Sequence, residues 1–191
     1  AIGNVPFGQY KVSDPAYNKL NFPIHEYFFA KTLDKVRSGG IIIFITSRYT
    51  MDKKNSAARK YIAERAELLG AVRLPDTAFK GSANTEAVAD ILILKKRDRL
   101  LAEVPDWVAL SETLDGIEIN KYFAAFPQMV LGNMKMVSGP FGMRPTCAEL
   151  PDTLLSTALS STLSYIHGKI DSITLFGSDD EEIDNTIRSE E

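Results

Sequence analysis

An α/β fold follows from three features of these 191 residues. Ile41-Ile42-Ile43-Phe44-Ile45-Thr46 is a continuous branched and aromatic run, the pattern of a strand covered on both faces in a parallel sheet. Helical periodicity lies on both sides of it, at Ile24, Phe28 and Val36 before and at Ala58, Ile62 and Leu69 after. Two further strand-like runs, residues 71–74 and 88–94, complete an alternation of helix and strand with right-handed crossovers.

In chain order, Ala1-Ile2-Gly3 reads as the last step of a strand and Asn4-Val5-Pro6-Phe7-Gly8 as the turn leaving it, with an aromatic at its tip. Residues 9–22 lack periodicity and read as a loop. A helix starts at Pro23, whose missing N–H has no intrahelical partner in a first turn. It carries Tyr27 and Leu33 beside its apolar stripe and ends near Ser38-Gly39-Gly40. The helix after the 41–46 strand, with Tyr61, Arg65 and Ala66 also at helical spacing, should stop at Gly70. Residues 71–74 form a short strand closed by Pro75. Residues 88–94, interrupted by Asp90, lie too near that strand for a crossover helix, so the two should run antiparallel. Beyond Leu100 the pattern loosens. Short helical pieces at 120–126 precede an irregular Gly/Pro-rich stretch at 132–145 and a Ser/Thr-rich helix at 152–170, with Leu155, Leu159, Leu163 and Ile166 on one side. The chain thus divides into a core, 1–100, a smaller mixed or helical appendage, 101–178, and an acidic tail, 179–191.

Composition excludes several function classes. The lone Cys147 has no disulfide partner, and with His25 and His167 the only histidines, no His/Cys cluster has metal-ligand spacing. A reducing, cytoplasmic setting is expected. The longest apolar runs fall far short of the roughly 18 to 20 residues that span a bilayer. The net charge of −3 hides an uneven distribution: residues 31–99 hold 15 Lys/Arg against 8 Asp/Glu, whereas 179–191 hold seven acids and one Arg. A locally basic body favours a phosphate backbone as partner, with solvation of surface lysines as the competing explanation.

Asn4-Val5-Pro6-Phe7 is the group of residues with chemistry in it. The Asn4 carboxamide oxygen and the Val5 carbonyl can accept two hydrogen bonds from an exocyclic amine, Pro6 stiffens the turn, and Phe7 offers a flat face to a base. Such a set can hold an adenine drawn out of a duplex. A rigid turn with a core aromatic is the plainer reading.

These four residues resemble the Asn-Pro-Pro-Tyr/Phe motif of amino-methylating class I methyltransferases, specifically the N6-adenine DNA methyltransferases. The Ser38-Gly39-Gly40 turn and the 41–45 strand resemble that family's glycine turn and buried fifth strand, and residues 72–79, Thr85 and 91–94 its late hydrophobic elements. Residues 120–134 and the Gly139-Pro140-Phe141-Gly142 to Thr146-Cys147 stretch are similar to large phage- or plasmid-associated proteins that combine a methylase with a helicase-like region. The resemblance implies the C-terminal half of a class I, Rossmann-like, S-adenosylmethionine-dependent fold. It further implies DNA as partner, S-adenosylmethionine as methyl donor, and Asn4, Val5, Pro6 and Phe7 as the catalytic pocket around adenine N6. Val5 departs from the family's proline, which keeps the carbonyl but frees one φ angle. The family's glycine-rich donor loop precedes this motif, and three residues precede it here, so the chain by itself is expected to be inactive and not to bind the donor. It is also expected to leave the sheet open beside 41–45, inviting self-association or cover by its own appendage.

Arg48, Lys53, Lys54, Arg59 and Lys60 follow the 41–45 strand at the sheet edge expected for Asn4, where they can contact DNA phosphates or simply solvate the surface. Tyr49 can line the base pocket or cap the core. Asp14, Asp52 and Asp76 read as caps or surface acids, and His25 as a first-turn helix residue without a catalytic partner. Two other functions fit the same residues: a non-catalytic DNA-docking or assembly module, and a methyltransferase acting on a protein glutamine amide.

Overall fold

A computed structural model describes residues 1–83, 86–139 and 142–169. Thr85, Pro140, Phe141, Ile170 and the acidic stretch 179–191 lie outside the described residues. Among the described residues the architecture is mixed α/β with three sheets. The largest has four strands in the order β1-β2-β4-β3: β1 (Ile2–Asn4), β2 (Ile41–Ser47), β4 (Ala89–Lys96) and β3 (Ala66–Leu74). β1 runs parallel to β2, and β4 runs antiparallel to both β2 and β3. The carboxyl ends of β1, β2 and β3 therefore share one edge of the sheet.

Helix α1 (Ile24–Lys35), which begins directly after Pro23, covers one face. Phe29 packs edge-on against Phe44 with ring centroids 5.2 Å apart, and Leu33 and Ile42 are fully buried beside them. Each such side chain contributes about 1.5–3 kcal/mol. The central strand has one parallel and one antiparallel neighbour, which corrects the expectation of an all-parallel setting. It also alternates in burial: Ile42, Phe44 and Thr46 are buried, whereas Ile41, Ile43 and Ile45 are half-buried on the opposite face.

Two boundaries differ from the sequence reading. Helix α3 (Ala57–Arg65) ends before Ala66, and the residues assigned to its last turn open β3 instead, with Leu68 opposite Leu94 and a register shift before Gly70. Pairing along the whole of β4 outweighs helical propensity there. The stretch 132–145 is regular, a hairpin of β7 (Asn133–Gly139) and β8 (Gly142–Ala148). Its Pro145 is tolerated because both strands of a two-stranded ribbon are edges.

The remaining elements are α2 (Tyr49–Asp52), α4 (Lys80–Ala83), a small sheet of β5 (Leu110–Glu112) and β6 (Glu118–Asn120), α5 (Lys121–Ala125) and α6 (Leu155–Leu163), shorter than the 152–170 expected. Residues beyond Leu100 share the main core: Trp107, Val108, Ile119 and Phe123 pack in one cluster with Met51, Ile62 and Leu92.

Candidate functional site

Asn4 ends β1 opposite Ile45, and the Val5 N–H donates to the Ile45 carbonyl at 3.0 Å. The motif is thus stitched to the carboxyl end of β2, where ligands of open α/β sheets bind. Its residues divide by burial. Val5 is in the core at 4% exposure, while Asn4 and Pro6 are exposed and Phe7 keeps 37% of its surface open. The Asn4 carboxamide and the Phe7 ring are therefore available to a ligand, and the Val5 side chain anchors the turn between them.

The first turn of α1 holds the loop that follows. His25 Nδ1 lies 3.1 Å from the Gly8 carbonyl, and the Ile24 N–H donates to the Tyr10 carbonyl at 2.9 Å. A Cβ on Gly8 would sit 2.5 Å from the ring of the exposed Tyr10, so a larger residue there would displace that ring. His25 is almost fully buried, and burial holds its pKa below the ordinary value. The neutral ring must donate from Nδ1 to a carbonyl, which leaves Nε2 as a buried acceptor without a partner, 4.0 Å from Glu26. Burial pushes the Glu26 carboxyl up against the opposing pull of Lys53, 3.3 Å away.

The basic group does not act as one surface. Arg59 is 1% exposed and donates to the carbonyls of Val108 and Lys53 at 2.8 and 2.7 Å, which removes it from any phosphate contact. Lys53 is tied to Glu26. Arg48 stacks over the Tyr49 ring at 4.4 Å and approaches Asp52 at 3.6 Å. Lys54 and Lys60 are exposed. Tyr49 is 44% exposed at the carboxyl end of β2, so it does not cap the core.

Beneath this edge is a buried polar network that the sequence reading missed. Arg73 and Asp90 oppose each other in the β3–β4 register and form two bonds of 2.8 and 2.9 Å. Asp52, read as a cap or surface acid, is buried with Oδ2 2.8 Å from Arg73 Nη1, at an angle that makes an ion pair rather than a hydrogen bond. Burial alone would lower the Arg73 pKa, but the two carboxylates hold it above its ordinary value. Asp52 also accepts the Asn120 N–H at 3.0 Å, and the Asn120 amide donates to the carbonyls of Met51 and Trp107. One signal was present in the sequence: a single charge inside each of the apolar runs 71–74 and 88–94. Asp76 bonds Thr146, and Asp14 bonds Tyr27 and Lys31.

Burial pushes the Cys147 thiol up to about 12, which makes it inert. Among the described residues no cluster suits a metal ion, and no helix is long and apolar enough to cross a membrane. The residues present do not fit S-adenosylmethionine. Gly39 and Gly40 lie at the amino end of β2, the opposite edge from Asn4, and among the described residues no Gly-x-Gly turn joins a strand to a helix.

The chain is 31% identical over 107 residues to the "Defense against restriction protein B" of Escherichia phage P1. The match takes in 53% of this chain and 5% of that protein, so the chain spans a small fraction of its relative's length. No family model and no solved structure matches the chain.

Proposed function

We propose that this chain supplies the target-base pocket of an S-adenosylmethionine-dependent DNA adenine N6-methyltransferase, within a class I, Rossmann-like catalytic core. The observation that carries the reading is the division of the motif: Val5 buried and bonded to β2, with Asn4 and Phe7 open at the carboxyl edge of the parallel strands. Asn4 and the Val5 carbonyl accept from the adenine N6 amine while Phe7 stacks on the ring. The pocket's task is alignment of a weak nucleophile by fixed acceptors, which needs no strong base. In such enzymes S-adenosylmethionine supplies the methyl group. No described residue fits it, so the part assigned to this chain ends with holding the base. A relative whose name speaks of restriction agrees with DNA as the acceptor.

The reading is tested with a duplex carrying one extrahelical 2-aminopurine. The chain should quench its fluorescence by stacking, and Phe7→Ala should weaken that engagement by up to about two orders of magnitude, since a base–aromatic stack is worth roughly 1–3 kcal/mol. In the full-length gene product, Asn4→Ala should cut methyl transfer to duplex DNA by about 10²-fold or more. Transfer to a protein glutamine alone would replace DNA with a protein acceptor. Unchanged transfer with Asn4→Ala would favour the docking-module reading.

A further inference from the structure

Among the described residues, the β7–β8 hairpin is largely exposed beyond its root. Met136 and Met143 are 43% and 62% exposed, Lys135 and Arg144 are exposed, and burial returns only at Thr146 and Cys147. The root is fixed firmly. Val130 bridges Arg73 in parallel fashion, the Leu131 N–H donates to the Arg73 carbonyl at 2.9 Å, the Asp76 N–H donates to the Cys147 carbonyl at 2.8 Å, and Thr146 donates to Asp76 at 2.6 Å. At the same place a Cβ on Gly132 would collide with the Ala148 carbonyl and the Cys147 sulfur, so the chain closes tightly there.

These bonds place the root of the ribbon. At Val130 the chain runs with β3, toward the edge at which β1, β2 and β3 all end, and β7 starts two residues after Leu131. Seven residues in each strand give a ribbon about 20 Å long. β3 lies three strand positions from β1 in the sheet, about 14 Å to the side of Asn4. The two faces differ in chemistry. Register puts Lys135, Val137 and Arg144 on one, and Met134, Met136 and Met143 on the other. The Arg144 side chain lies along its face, with Cδ and Nε 3.1 Å from where a Gly139 Cβ would be. The hairpin strands contain no acid. The acids near the root are engaged, Asp76 by Thr146, Glu149 by Thr77 and Glu86 by Lys80.

We infer that β7–β8 is a DNA-contacting ribbon that enters the major groove beside the target base. The inference rests on the adenine-pocket reading for its choice of partner. A major groove about 12 Å wide admits a two-stranded ribbon. Lys135 and Arg144 meet phosphates, and the methionine face suits the thymine methyl groups that line the groove.

Equilibrium binding of the 191-residue chain to labelled B-form duplex across a salt series tests this. The doubly substituted Lys135→Ala/Arg144→Ala chain should bind about tenfold more weakly, and its slope of log K against log salt should fall by about 1.8, the loss of two phosphate contacts. The wild type should prefer duplex DNA to duplex RNA of the same sequence, whose major groove is too narrow and deep to read, and the variant should lose that preference. Met143→Cys carrying a photocrosslinker should label duplex DNA. Unchanged slope and preference, absence of crosslinks, or no duplex binding by the wild type each overturns the ribbon. The 2-aminopurine quench, repeated on a single strand, reports on the base pocket independently of all three.

Discussion

Phe7 and Arg73 show what one residue's neighbours in sequence disclose and what they conceal. The strand end and turn at Asn4 to Phe7 were legible because their signals lie within a few consecutive residues. Arg59 was misread because its partners, the carbonyls of Val108 and Lys53, are set by packing, one of them 49 positions away. Asp52 was misread for the same reason, since Arg73 and Asn120 reach it only in the folded chain. The Arg73 ion pairs yield a stability prediction. Arg73 has no exposure and also lies over the Phe123 ring at 4.4 Å, so Arg73→Met keeps most of the volume but leaves Asp90 buried without its paired cation and Asp52 with Arg48 alone, 3.6 Å away. Removal of one partner from such a site costs about 3–5 kcal/mol, whereas replacing all partners with apolar groups costs far less. Urea denaturation should show that loss for Arg73→Met and partial recovery when Asp90→Leu is added. A Met variant as stable as the wild type would mean that the network is solvated rather than buried.

At the scale of elements, helices and strands were read correctly where one period dominated and wrongly where two patterns competed. α1 and β2 came through the periodicity alone. The α3–β3 boundary did not, because Ala66 to Leu69 satisfy helical spacing as well as they satisfy pairing with Leu94 and Lys96, and only the partner strand decides. The hairpin was hidden by Gly132, Gly139 and Gly142, which look like loop composition but serve a tight root and a tip where Gly142 has φ 106°. The first turn of α1 gives a pH prediction, because His25 is the residue that secures the loop after the motif. Its pKa lies below the ordinary value of 6.5, so in acid the unfolded chain takes up the proton first. Stability from keeping His25 neutral is present above pH 6.5 and is lost as pH falls below it, by at most about 1.4 kcal/mol per pH unit. Glu26 works the other way, its raised pKa making the folded state the better proton acceptor in acid. Comparison with His25→Asn, which can still donate to Gly8 but does not titrate, isolates the histidine. The variant should gain on the wild type between pH 7.5 and 5.5 in denaturation midpoints, and a constant difference across that range would show that His25 does not titrate with folding.

On the scale of the whole molecule, the two faces of the main sheet are covered unequally. α1 and α3 bury one face, and on the other Ile166 presses on Gly70 and Leu69 on Gly168 at the β3 side. Among the described residues that cover does not extend across the sheet. Ile41, Ile43, Ile45, Ile91 and Ile93 remain half-buried, and Ile2 on β1 is 83% exposed. The expected open strand beside 41–45 is therefore shifted outward by one position: β1 pairs with Ile43 to Ile45 and presents its own outer edge instead. A short strand without charge or proline, next to an isoleucine face, has little to discourage pairing with another copy. The 191-residue chain should accordingly self-associate, its sedimentation coefficient rising over a concentration series from about 1 to 100 µM. Ile2→Lys places a charge on the edge strand at a position already exposed, so it should leave the fold intact and shift the chain toward monomer. Ile43→Lys tests the face rather than the edge. If Ile43→Lys restores the monomer and Ile2→Lys does not, copies stack through the isoleucine face without strand pairing; a wild-type chain that stays monomeric throughout would show that neither edge nor face is adhesive.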